Sequence, residues 1–205
     1  MAAGTADTAD DELPALRLNP PGEQGWFVEL LAEPVSGQTT RKHWRRFHTD
    51  AGDFGLPSFR FMAVAVHRAE ETDFGLRVAR PACMALAHLL EHADPDRTPI
   101  ANLAGAPPRF SKDVGRALSL WWLAREQSSM ADRQWLAQWR EALAMPDMPA
   151  ASASKTAATA GLAAIGDYLP QAHVIARTSV LAPHGTSLDA WRRAYASLPD
   201  LIDRL

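Results

Sequence analysis

Two histidines stand four residues apart at His88 and His92, with Glu91 between them. On a helix that spacing stacks two imidazoles on one side, a turn apart, where their nitrogens can share a metal ion while a neighbouring carboxylate activates water. The surrounding residues predict such a helix over 82–93, entered at Pro81 and stopped by Asp94-Pro95. A metal site would need a third ligand from elsewhere. Glu126 and Glu141 are the glutamates that follow, and neither sits in a recognisable companion motif. The competing reading is an ordinary amphipathic helix, with Met84, His88, Glu91 and His92 on its polar face and Ala82, Leu86, Leu89, Leu90 and Ala93 opposite.

The string His88-Leu89-Leu90-Glu91-His92 resembles the H-x-x-E-H pattern of the inverzincins, a family of zinc proteases, over these five residues and nowhere else in the chain. The resemblance implies zinc on His88 and His92, Glu91 as the base, and a downstream carboxylate ligand within a larger chain. A pattern with three fixed positions is too short to assign a metal. The sequence reading therefore names no metal and no cofactor, and keeps His88 and His92 as the candidates should a metal bind.

The second reactive stretch is Arg41-Lys42-His43-Trp44-Arg45-Arg46-Phe47-His48. Its guanidinium groups form forks that suit phosphates or carboxylates, and Trp44 offers a stacking face. The alternative is a solvated segment that pairs with the chain's own acidic leader. Cys83 stands near the predicted helix start, where a dipole can lower a thiol pKa, but no base or oxyanion apparatus accompanies it. A small buried residue is the reading adopted. Trp135, Trp139 and Trp191 fall on helix-packing stripes, and of the adjacent Trp121 and Trp122 one fills the core while the other reaches a neighbouring element or a partner. The sequence carries no phosphate-binding glycine loop, dinucleotide fingerprint, G-x-S-x-G elbow or C-x-x-C pair.

The elements that hold these residues follow from composition and periodicity. The chain has 205 residues, 47% of them hydrophobic and 22% charged, which is enough for a real core. One cysteine excludes an internal disulfide framework. No apolar run is long enough to span a membrane and no secretion signal opens the chain, so the expectation is a cytoplasmic protein without membrane contact. The net charge of −3 is unevenly spread: residues 1–37 sum to −6, residues 38–80 to +3 and residues 81–205 to zero. The basic region is short, which disfavours nucleic acid as the partner.

Residues 1–23 read as a flexible acidic leader, 24–79 as a strand-rich part and 80–205 as a helical part. Strands are expected at 26–31, within 38–47 and, most clearly, at 58–68. Helices are expected at 82–93, at 112–127 capped by Ser111, at 132–145, at 152–168 and at 188–197 capped by Ser187, with 171–181 ambiguous. The fold class is α+β: a small N-terminal antiparallel sheet followed by a mainly helical C-terminal part.

Without a complete reactive centre, the expected function is that of a non-catalytic binding or accessory subunit. It would recognise a peptide or protein, in a hetero-complex with a larger protein such as a peptide-modifying enzyme. Arg41, Lys42, Trp44, Arg45, Arg46 and Phe47 are the partner-binding residues, used through a sheet edge. The alternatives are a metal-dependent enzyme using His88, Glu91 and His92, and a nucleic-acid-binding protein using residues 41–48.

Overall fold

A computed structural model describes residues 16–18, 22, 28–33, 44–93 and 107–205. The fold is α+β, with short antiparallel ladders toward the N-terminus and a mainly helical C-terminal part. The chain parts after Met62 into two compact units, 1–62 and 63–205. Among the described residues no helix is long and apolar enough to cross a membrane.

In the first unit, β1 (Arg17–Leu18) pairs antiparallel with β2 (Val28–Glu29). Arg41, Lys42 and most of the predicted leader lie outside the described residues, although Arg17 and Leu18 at the leader's end belong to this ladder. The main element is a hairpin of β3 (Trp44–Thr49) and β4 (Gly52–Pro57), in register from Trp44 opposite Pro57 to Thr49 opposite Gly52. Asp50 and Ala51 make its turn, where the Ala51 amide donates to Thr49 Oγ1 at 3.1 Å. Gly52 leaves the turn at φ 123°, a backbone conformation that favours glycine. Beyond β4, Ala32 forms a parallel bridge with Ser58, and its amide donates to the Pro57 carbonyl at 3.0 Å.

The strand expected at 58–68 is not one. The chain turns at Arg60 and Phe61 and makes a single helical turn, α1 (Met62–Ala65). Phe61, Val64 and Ala65 are buried. Their i, i+3, i+4 spacing is that of a helix, and in a run apolar on both faces it cannot be told from a strand by periodicity. The strand actually built, β4, carries two glycines and ends in proline, and these residues hide it from a propensity reading.

After α1, the second unit forms a small hairpin, β5 (Glu70–Glu71) and β6 (Arg77–Val78), whose tip leaves Phe74 89% exposed and Leu76 66% exposed. The helices follow: α2 (Pro81–Glu91), α3 (Arg109–Gln127), α4 (Ala131–Leu143), α5 (Ala151–Ala163), α6 (Leu169–Arg177) and α7 (Leu188–Asp203). Helix α3 packs on α2, α4, α5, α6 and α7. Helix α2 packs on α3, α4 and α5, and buries Ala82, Cys83, Ala85, Leu86, Ala87, Leu89 and Leu90. Gly161 lets α5 come this close, because a Cβ there would collide with the Leu89 carbonyl oxygen. The Trp139 indole N–H donates to the Ala82 carbonyl at 2.7 Å, and the Trp121 indole donates to Ser197 Oγ at 3.1 Å. Trp121, Trp135 and Trp139 form a chain of edge-to-face and tilted ring contacts, with centroids 4.9 and 5.8 Å apart. Trp122 is half-buried, its ring 6.1 Å from that of His184.

Two helix ends differ from expectation. Ser111 is buried inside α3 rather than capping it, since the helix starts directly after Pro107-Pro108, residues suited to a helix entrance. Ser187 does cap α7, accepting from the Ala190 amide at 3.2 Å. That helix continues through Pro199 to Asp203; Leu198, Leu201 and Ile202 are buried around the proline and offset the hydrogen bond it forfeits.

Candidate functional site

Two groups of residues can do something chemically, and each belongs to one unit. The first is the β3–β4 hairpin. Cross-strand register places Arg45 opposite Leu56 and Phe47 opposite Phe54 on one face, and Arg46 opposite Gly55 and His48 opposite Asp53 on the other. Arg45, Arg46, Phe47 and His48 are all exposed. The His48 Nδ1–H donates to Asp53 Oδ1 at 2.8 Å and Arg46 Nη1 stands 3.7 Å from Asp53 Oδ2. The His48 hydrogen bond, aided by Arg46, holds the Asp53 carboxyl below the usual carboxylate range despite some loss of hydration. Of the six sequence-named partner residues, Arg45, Arg46 and Phe47 share this strand and Trp44 is its first position. Arg41 and Lys42 lie outside the described residues. Among the described residues β3 pairs with β4 alone, so its outer edge keeps a row of main-chain donors and acceptors.

The second group sits where α2 ends. Helices α2 and α3 run antiparallel, which brings the C-terminal turn of one beside the N-terminal turns of the other. His88 and His92 from α2 and its C-cap there meet Asp113 from α3, and one ligand atom from each lies within 4.8 Å of the other two. His92 is fully buried, and its Nε2–H donates to Asp113 Oδ2 at 2.9 Å. Arg116 Nη1 stands 3.9 Å from the other carboxylate oxygen, Oδ1. Burial pushes the His88 imidazole down to about 4, so it is neutral at physiological pH. Burial works to raise the Asp113 carboxyl, but the hydrogen bond from His92 and the charges of His88, His92 and Lys112 outweigh it and hold it at about 2. Neutral imidazole and ionised carboxylate are the forms that bind metals.

Glu126 and Glu141, the glutamates named from the sequence, do not join the histidines; the third donor is Asp113, which sequence reasoning missed. No local signal points to it: residues 92–108 separate α2 from α3, too long a connection for the short-loop rule that sets the flanking residues of a helical hairpin side by side. Glu126 and Glu141 lie far along α3 and on α4; Glu141 Oε2 pairs instead with Arg68 Nη1 at 3.1 Å. Cys83 is fully buried and burial raises its thiol pKa, as expected of a packing residue rather than a nucleophile. A recess of about 250 Å³ lined by Pro81, Ala82, Leu120, Trp135 and Gln138 lies at the opposite end of α2 from His92. No protein-family model, curated protein or solved structure matches this chain.

Proposed function

We propose that this protein is a non-catalytic binding subunit that captures an extended acidic peptide segment of a larger partner by strand addition along β3. The observation that carries the reading is the outer edge of β3, lined by Arg45, Arg46 and an exposed Phe47 and paired, among the described residues, on its inner side alone. Main-chain bonds to that edge supply affinity for any extended chain. Alternating side chains supply the choice, since they fall against Arg45 and Phe47 on one face and Arg46 and His48 on the other. Acidic residues are favoured because two guanidinium groups flank the edge. Asp53 is no barrier: exposed ion pairs contribute about 0–1 kcal/mol, so a partner's carboxylate can replace it. In the second unit, taken alone, the exposed Phe74, Leu76 and Val78 also fit an interaction protein. One setting for such a subunit is a larger peptide-modifying enzyme whose precursor peptide has to be held in extended form.

The test uses fluorescence anisotropy with a labelled octapeptide of alternating valine and glutamate, a valine–lysine counterpart, and a valine–glutamate peptide N-methylated at alternate amides. The acidic peptide should bind, and the basic and N-methylated ones should not. Replacing both guanidinium groups (Arg45→Glu with Arg46→Glu) should abolish binding while the circular dichroism spectrum stays unchanged. Equal binding of the N-methylated peptide would refute strand addition, and unchanged binding by the double variant would refute the edge.

A further inference from the structure

The geometry points to a binding site for one divalent transition metal ion, zinc above all, formed by His88, His92 and Asp113. It is independent of the strand edge and lies within the second unit alone. Donors around a tetrahedral zinc ion, each about 2.0–2.2 Å from it, stand about 3.3 Å from one another. The gap from His92 Nε2 to Asp113 Oδ2 is 2.9 Å, and all three donors lie within 4.8 Å of each other. With one ligand atom of each residue this close to the others, small side-chain rotations would close the shell. The ion takes the place of the Nε2 proton that His92 now donates to Asp113 Oδ2, and the neutral ring then carries that proton on Nδ1.

The donor set fits the ion. Two imidazoles and a carboxylate form a borderline set suited to zinc, and they leave a fourth position for water. A calcium or magnesium site would instead be built from oxygen donors. The support around the ligands is of the kind metal sites use. Arg116 Nη1 stands 3.9 Å from the far oxygen of Asp113, Oδ1, and Oδ2 is the oxygen that meets His92. The backbone of α2 is fixed by α5 at the Gly161–Leu89 approach, one residue from His88.

The test uses untagged protein, stripped with a chelator and dialysed, then titrated with Co²⁺ and with Zn²⁺. One equivalent of Co²⁺ should give the visible absorption of a four-coordinate site, and Zn²⁺ should displace it. Stoichiometric Zn²⁺ should raise the melting temperature by several degrees. His88→Gln, which leaves the His92–Asp113 bond in place, and Asp113→Asn should each weaken Co²⁺ binding by about a hundredfold or more. Circular dichroism reports whether each variant is folded, and two variants on different helices guard against the loss of one. Absence of a Co²⁺ spectrum in the wild type would overturn the site, as would undiminished binding in either folded variant. Chelation should leave capture of the acidic octapeptide unchanged, so each reading can fail without the other.

Discussion

Replacing Gly161 by alanine separates two forces that usually act together. Intrinsic propensity favours the change: alanine in the interior of a helix is better than glycine by about 1 kcal/mol. Packing opposes it. The new Cβ would overlap the Leu89 carbonyl oxygen, with the Leu89 carbonyl carbon 3.1 Å and its Cα 3.4 Å away. Comfortable contact between such atoms is about 3.5 Å or more. The obstacle is the backbone of α2, not the end of a flexible side chain, so α5 must move off α2 by about an ångström. Ala158 and Leu162, both buried on α5, would then lose part of their packing. Overpacking of this kind costs about 3 kcal/mol at the upper end of the usual range, leaving a net loss of about 2 kcal/mol after the propensity gain. For a chain of this size that lowers the melting temperature by about 4–8 °C. Urea and thermal unfolding followed by far-ultraviolet circular dichroism would measure it. Ala160→Gly, at an exposed position of the same helix, is the control and should lose about 1 kcal/mol through propensity alone. A Gly161→Ala protein as stable as the wild type, or more so, would show that α5 does not approach α2 at this point.

Three further expectations concern the same core. Trp139→Phe removes a fully buried indole and its hydrogen bond to the Ala82 carbonyl, and should cost about 2–3 kcal/mol in urea unfolding; a loss under about 0.5 kcal/mol would mean the bond is not made. Cys83 should resist a thiol reagent at pH 8 in native buffer and react at least about a hundredfold faster in urea, because reaction requires opening of the core. Since its folded pKa is raised, the unfolded chain loses this proton first. Stability should therefore fall as pH rises through the unfolded thiol pKa, and Cys83→Ala should show a shallower decline. Native labelling as fast as in urea would contradict the burial.

Much of the helical part could be read in advance because its signals are local. Pro81 opens α2, Ser187 caps α7, and the i, i+4 tryptophans at 135 and 139 mark the buried stripe of α4. These features act within one or two turns, so neighbouring residue types suffice to place them. The 58–68 segment failed for the complementary reason: a run apolar on both faces has no period to read, and its form is set by what surrounds it. The hairpin was half visible. Its basic strand stood out by charge, but its partner, with Gly52, Gly55 and Pro57, did not look like a strand.

The sequence by itself determined the α+β order of elements, the two histidines one turn apart and the cluster of positive charge around Arg45 and Arg46. Only the tertiary structure decided that Asp113, 21 residues beyond His92, completes a three-donor cluster. It alone decided, too, that Gly161 is where α5 rests on α2. Both depend on how helices cross and how far apart their axes lie. Those quantities are set by the fit of many side chains at once, and no window of neighbouring residues contains them.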